Sequence, residues 1–217
     1  MRQGVAATIV GLAIAVSGCG GGDATSTTTS PSVSLDGSTL KEPFNAIAAQ
    51  VYSDAGKDRE NDYISGSTFE GCPIADDEAG AAIGEAAGLD EFQFSDNGYL
   101  QGLPDQQETL ICSVETPQGE SHPTILNVSA GTTTLTPEQT HERVMQLEDN
   151  RHDIEGSAEG LDPASVIAVG DEALSQFLWV NGDFQVAVGA DTAKLTPEQG
   201  FAALSAAVDG VSRTLAG

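Results

Sequence analysis

The sequence predicts an α+β domain, in which one antiparallel sheet is backed by helices and is built from two related β-β-α units. Three observations lead to this prediction. Helical periodicity early in the chain gives way to short apolar runs that are typical of strands. The pentapeptide Leu-Thr-Pro-Glu-Gln occurs twice, 60 residues apart, at 135–139 and at 195–199. The tripeptide Asn-Gly-Asp at 181–183 separates two apolar runs and is typical of a β-hairpin.

The first two helices are predicted at residues 42–52 and 75–87. The first segment has apolar residues at i, i+3, i+4, i+7 and i+8 counted from Phe44, which is the stripe of an amphipathic helix. The second is rich in alanine and carries acidic residues in its first turn, where negative charge complements the helix dipole. Gly88 follows it as a C-terminal cap.

Short runs of apolar and β-branched residues predict the strands. These runs cover residues 91–94, 109–115, 124–129, 166–169, 177–180 and 184–188. The Asn-Gly-Asp turn makes the last two runs a hairpin.

Each copy of the repeated pentapeptide predicts the start of a helix. Thr136 is placed at the N-cap, Pro137 at the first helical position and Gln139 at the third, which is a capping box with the favoured proline. The second copy opens a helix over 197–215. The preceding strands also match at the same spacing, since Val128, Ala130 and Thr132 recur as Val188, Ala190 and Thr192. We therefore expect a duplicated unit with its helices on one face of a shared sheet, although good helix starts also resemble one another without common origin.

The negative charge of the chain limits the classes of partner that it can bind. Eight Lys and Arg stand against 33 Asp and Glu, for a formal net charge of -25. Such a surface repels phosphate backbones and anionic headgroups, so binding to nucleic acid is not expected. A basic partner, bound cations or simple solubility remain open.

The N-terminus has the pattern of the signal peptide of an exported protein. An uncharged apolar run at 5–16 (VAATIVGLAIAV) is followed by Ser17, Gly18 and Cys19. The run is shorter than the roughly 20 residues that a membrane span needs, and it is typical of a signal peptide. Its end resembles the bacterial lipobox, with Val16 in place of the usual leucine. The resemblance implies that diacylglycerol is attached to Cys19, which becomes the first residue after cleavage.

Three regions follow from this leader. Residues 1–18 are predicted to be a lipoprotein signal peptide, and residues 19–40 the lipidated Cys19 with a flexible tether rich in Gly, Ser and Thr. Residues 41–217 are predicted to be a single acidic globular domain. The expected location is the extracytoplasmic face of the cell membrane, with the Cys19 lipid as the membrane contact.

Two cysteines remain when Cys19 is assigned to lipid. In an exported protein, Cys72 and Cys112 are expected to form a disulfide. The alternative is a redox pair, but such pairs usually stand two residues apart at a helix N-terminus. A zinc site made by these two alone is not expected.

Three segments between residues 69 and 215 form a recognisable pattern: FEGCP at 69–73, CSV at 112–114, and IAVGDEA at 167–173 before the hairpin and the last helix. This pattern resembles small actinobacterial cell-envelope lipoproteins of unknown function, some of which are grouped with extracellular sensor domains of receptor kinases. The Cys-Pro order at residues 72–73 reverses the more usual Pro-Cys. The resemblance implies an α+β fold, a disulfide and an envelope location, and it brings no catalytic residues.

Two polar clusters contain residue types that could bind a metal ion. The acidic stretch after the first helix lacks the EF-hand spacing, because Gly56 occupies a ligand position. Its acidic residues are Asp54, Asp58, Glu60 and Asp62. Glu138, His141 and Glu142 share one helix turn, but the repeat matches His141 with Phe201, which favours a half-buried packing role. No metal site is predicted.

No other pattern predicts catalysis or a cofactor. His122 and His152 are assigned to loops or helix ends, and Trp179 to a sheet face with the alternative of lining a ligand groove. The motifs of serine hydrolases, zinc proteases and nucleotide-binding proteins are absent from the sequence.

The expected function is therefore a non-enzymatic binding or adaptor module in the cell envelope, contacting an envelope protein or a small ligand. Two alternatives stay open. One is a lipid or lipoglycan carrier with a partly hollow core rich in Ala and Val, and the other is a hydrolase of wall material.

Overall fold

A computed structural model of the chain describes residues 35–59, 71–89, 93–94, 99–101, 108–115, 126–147, 150–172, 174–190 and 195–217. Within these ranges the helices are α1 (Lys41–Asp54), α2 (Asp77–Ala86), α3 (Pro137–Met145) and α4 (Pro197–Ala216). Two 3₁₀ turns, Gly37–Leu40 and Pro163–Ser165, precede α1 and the sixth strand.

All strand pairs in the described residues are antiparallel and belong to one sheet. The strands are β1 (Gln93–Phe94), β2 (Tyr99–Gln101), β3 (Thr109–Glu115), β4 (Leu126–Thr132), β5 (His152–Asp153), β6 (Val166–Gly170), β7 (Ser175–Asn181) and β8 (Phe184–Ala190). Their order is β1-β3-β4-β8-β7-β6-β5, and β2 also pairs with β3. The predicted α+β class, an antiparallel sheet with helices packed on it, is confirmed.

The centre of the sheet reproduces the sequence repeat as a local symmetry. Val128 of β4 lies opposite Val188 of β8, and these are the residues that the repeat equates. Stepping two residues either way pairs Leu126 with Ala190 and Ala130 with Val186. Residues equivalent in the repeat thus exchange places across a two-fold axis at the Val128–Val188 pair. This register relates the strand pair β3-β4 to the strand pair β7-β8.

One sheet face carries the main core. Alternate side chains of the central strands point to this face, where they meet α1, α2 and α4. Phe44 of α1 packs edge-on against Phe184, with ring centroids 5.7 Å apart. Phe201 of α4 packs in the same way against Phe177, at 5.1 Å. Trp179 is also in this core and is 1% exposed, so it is a sheet-face residue as predicted and lines no open groove.

Two glycines let α4 approach its neighbours closely. A Cβ atom added at Gly200 would lie 2.1 Å from the Phe177 ring, and one at Gly210 would lie 2.4 Å from the Ala79 Cβ of α2. Since such distances are far below van der Waals contact, larger side chains at these positions would have to push α4 away from the sheet and from α2.

Helix α3 packs on the opposite face, unlike the expected arrangement with all helices on one side. Val144 of α3 forms a separate apolar cluster with Ile167 and Val169 of β6 and with Leu178 and Val180 of β7. These strand residues alternate with core residues such as Phe177 and Trp179, so β6 and β7 are apolar on both faces. A strand that is apolar on both faces needs cover on both, which explains the position of α3.

Both predicted capping boxes are present. The Thr136 hydroxyl accepts a hydrogen bond from the Gln139 backbone N–H, and the Gln139 side chain accepts one from the Thr136 N–H. Thr196 and Gln199 make the same pair of bonds at the start of α4. Gly88 has φ +73 and its N–H bonds to the Glu85 carbonyl oxygen, so it ends α2 as predicted.

The segment from Gly37 to Lys41, at the start of the described chain, packs against the β7–β8 hairpin. Gly182 has φ +60 in this two-residue turn, which confirms the predicted hairpin. The Gly37 N–H donates to the Asn181 side-chain oxygen at 3.1 Å, and Lys41 Nζ lies 2.5 Å from Asp183 Oδ2. Leu40 is buried in the main core, so the packed fold starts slightly before residue 41.

Candidate functional site

The predicted lipid anchor at Cys19 lies outside the described residues. The same holds for the whole predicted signal peptide and for most of the predicted tether, since residues 1–34 are outside the described ranges. Among the residues that are described, no helix is both long enough and apolar enough to cross a membrane.

The predicted disulfide between Cys72 and Cys112 is present. The two sulfur atoms are 2.05 Å apart and the two Cα atoms 5.5 Å apart. Cys112 points from β3 into the core and is 1% exposed, while Cys72 precedes α2. The bridge therefore ties the segment that leads into α2 to the central sheet, which is a structural role.

The acidic stretch after α1 forms no metal centre in the part of the chain that is described. Asp54 ends α1, where its carboxylate accepts a hydrogen bond from the Gln50 side chain at 2.7 Å. Glu60 and Asp62 lie outside the described residues. Within the described ranges, no group of three or more His, Cys, Asp or Glu side chains is arranged to hold a metal ion.

The α3 cluster lines a surface groove. Glu138, His141 and Glu142 form one wall of an open groove of about 400 Å³, and Asp153 of β5 stands across from them. Apolar residues from α3, from the end of β5, from the second 3₁₀ turn and from β6 complete the lining. They are Pro137, Ile154, Ala164, Val166, Ile167 and Ala168.

His141 reaches across this groove to Asp153. Its Nε2 atom lies 2.6 Å from Asp153 Oδ1, and the two side chains are 39% and 67% exposed. The partial burial of His141 agrees with the prediction, but the predicted packing role does not, because the side chain contacts the Asp153 carboxylate. Its repeat partner Phe201 packs into the main core, whereas His141 faces β5 because α3 lies on the other side of the sheet.

His152 is not among the described residues that line the groove. His152 lies on the short strand β5 and is exposed, where a loop or helix end was expected. His122 lies outside the described residues.

The groove is acidic. Hydrogen bonds from the backbone N–H of Glu138 itself and from the Thr136 hydroxyl hold the pKa of the Glu138 carboxyl below its usual range. Glu142 and Asp153 add two more exposed carboxylates. No Lys or Arg is among the described residues that line the groove. The arrangement therefore favours a ligand with positive charge.

The floor of the groove is the edge of a strand. Val166, Ile167 and Ala168 all line it. Because the side chains of consecutive strand residues point to opposite faces of the sheet, three in a row can line the same groove only if the groove runs along the edge of the strand. β5 covers this edge only at Val169 and Gly170. The Ile154 N–H then donates to the Ala168 carbonyl oxygen at 2.9 Å, and in the described residues the pairing ends there.

Sequence reasoning singled out the polar cluster on α3 as possible metal ligands, but it predicted no ligand groove and missed the opposite wall and the floor. Asp153 follows His141 by 12 residues, and no local spacing rule links two residues that meet across a groove. The partly covered edge of β6 depends on where β5 ends, which has no sequence signal in a strand of two residues.

Comparison of the chain with protein-family models, with curated proteins and with solved structures gives no match.

Proposed function

We propose that the protein is a lipoprotein fastened to the extracytoplasmic face of the cell membrane through lipid on Cys19. The lipobox-like sequence that ends at Cys19 and the short apolar run before it support this proposal. The Cys72–Cys112 disulfide agrees with it, because disulfides persist in oxidising compartments outside the cytoplasm. The resemblance to actinobacterial envelope lipoproteins points the same way.

Substitution of the lipidated cysteine tests the anchor. In its own cells, the wild-type protein should partition with membranes and carry the mass of a diacylglyceryl group. The Cys19→Ala variant should lose that mass and leave the membrane fraction. Retention of Cys19→Ala in membranes, after washing with high salt, would refute lipid attachment at this residue.

We propose further that the domain is a non-enzymatic binding module of the envelope and that the groove between α3 and β6 is its ligand site. The observation that carries this proposal is the combination of an apolar floor with carboxylates on facing walls. Apolar surface supplies affinity and a few placed polar groups supply specificity, as in most ligand sites. The surplus of carboxylates selects a cationic ligand.

The groove gives less support to catalysis. His141 and Asp153 stand as in a histidine–carboxylate pair, but none of the described lining residues is a Ser, Thr or Cys that the pair could activate.

The carrier alternative requires a partly hollow core. At two points α4 instead packs closely, since a Cβ atom added at Gly200 would meet the Phe177 ring and one added at Gly210 would meet Ala79.

Native mass spectrometry of the protein purified from its own cells tests the binding role. A bound species should accompany the wild type and disappear from the Glu138→Gln/Glu142→Gln variant. A control of equal charge is Glu85→Gln/Glu198→Gln, which alters exposed carboxylates on α2 and α4. Equal retention of the ligand by both variants would remove the groove as the site.

A further inference from the structure

We infer that the groove binds an extended peptide with basic side chains at alternate positions, which adds as a strand to the part of the β6 edge that no described strand covers. The inference rests on the proposed binding function and specifies the ligand class and its mode of attachment. Strand addition to a sheet edge is a recurring way to bind peptides, in which backbone bonds supply affinity and alternate side chains supply specificity.

The backbone of β6 offers the hydrogen bonds for this addition. The Ala168 carbonyl oxygen points away from β7, since it accepts the bond from Ile154. In an antiparallel strand the N–H and C=O of one residue point to the same edge, and residues two apart do the same. The Ala168 N–H and the Val166 C=O therefore face the groove. The Val166 N–H is already bonded to the Pro163 carbonyl oxygen, which marks the lower end of the open edge.

The two faces of the sheet give an added strand two different environments. Asp153 pairs with Val169 and lies on the same face as α3, beside His141. Every second side chain of the added strand would point to this face and meet Glu138, Glu142 and Asp153. The intervening side chains would meet the small apolar surface of Ile154, Ala164 and Val166 on the other face. Positive charge at alternate positions with small apolar residues between them fits both.

Strand addition has to be distinguished from nonspecific attraction between opposite charges. A chain with a net charge of -25 attracts any polycation at low salt, in whatever conformation. The inferred mode differs because it needs the order of the side chains and the backbone donors and acceptors of the peptide. Both can be changed in the ligand without any change in the protein, so a destabilised variant cannot confuse the result.

The probe peptides are AKAKAKA, the scrambled AAAKKKA, and AKAKAKA with N-methyl groups on its alanines or, separately, on its lysines. Peptides are capped at both ends. The protein is the chain from residue 19 with Cys19→Ser. Affinity is measured by calorimetry at low salt, and amide hydrogen exchange of Ala168 by NMR.

AKAKAKA should bind at least tenfold more tightly than the scrambled peptide and should slow exchange at Ala168 at least tenfold. One of the two N-methylated peptides should lose binding at least tenfold and the other should keep it, because an added strand presents alternate N–H groups to the edge. Glu138→Gln/Glu142→Gln should weaken binding at least tenfold, while Glu85→Gln/Glu198→Gln should leave it within twofold.

The outcomes separate the two proposals. If all four peptides bind equally, and the groove variant still weakens them, strand addition is refuted and the groove remains a cation site. If the groove variant and the control variant bind every peptide alike, both the strand addition and the proposed groove function are refuted.

Discussion

Reduction of the Cys72–Cys112 disulfide should remove a large share of the stability of the domain. The bridge joins residues that are 40 positions apart in the chain. In the chain-entropy model, a closed loop of this length lowers the entropy of the unfolded chain by about 13 cal/mol/K, which stabilises the folded state by about 4 kcal/mol at 25 °C. Domains of this size are usually stable by only about 5–15 kcal/mol.

Urea unfolding of the oxidised and the reduced protein measures this difference. Trp179 is the single tryptophan and is buried in the sheet, so its fluorescence reports loss of the core. With a slope of about 2 kcal/mol/M, the midpoint should fall by about 2 M on reduction. The same amino-acid sequence is compared in both states, so no cavity is introduced. The Cys19→Ser background removes the third thiol, and Cys72→Ala, which changes the less buried partner, should unfold like the reduced protein.

Two results would overturn this reasoning. One is a loss of less than about 1 kcal/mol on reduction, which would mean that the unfolded chain gains little freedom from the open loop. The other is the titration of two free thiols in the unreduced, denatured Cys19→Ser protein, which would mean that the bridge does not form.

Three further predictions concern local structure. Thr136→Ala and Thr196→Ala each remove an N-cap and should each lower the free energy of unfolding by about 1 kcal/mol, as measured by urea titration; no loss in either would show that the caps are dispensable. Gly200→Ala should lower it by about 1–3 kcal/mol because the added methyl meets an aromatic ring, whereas Gly189→Ala, with open space around its Cβ, should change it by less than about 0.5 kcal/mol. Thr136→Ala should also raise the depressed pKa of the Glu138 carboxyl toward its usual range, as read by NMR titration. A carboxyl with a depressed pKa stabilises the fold above its unfolded pKa, and this contribution is lost as the pH falls through the folded pKa, so the variant should show less acid-dependent loss of stability below about pH 4.5. An unchanged titration would show that the threonine hydroxyl has no part in it.

The elements that could be predicted from the sequence are those with strong local signals. The capping boxes at Thr136 and Thr196 satisfy backbone groups within one turn, so they form wherever the helix lies. The hairpin at Gly182 needs only a residue that adopts positive φ. The disulfide followed from counting cysteines.

The side of the sheet on which α3 packs could not be predicted from local signals. The same strand, connector and capped helix end on opposite faces in the two units, because cover is needed where Leu178 and Val180 make a second apolar face. The groove, and the approach of His141 to Asp153, follow from this choice. The candidate site therefore depends on long-range packing, and the sequence showed only the polar cluster on α3, without its role in a groove.

The register at the centre of the sheet has the symmetry that an origin by duplication would give. A two-fold axis at the Val128–Val188 pair is the relation that two identical subunits have in a closed dimer. A single β-β-α unit could meet a second copy of itself along the equivalent of β4 and complete the same continuous sheet. Joining the two copies in one chain would keep that interface and free each half to diverge. Under that origin, the placement of α3 on the far face, with the groove beside it, would be a difference that two identical subunits could not have in one copy alone.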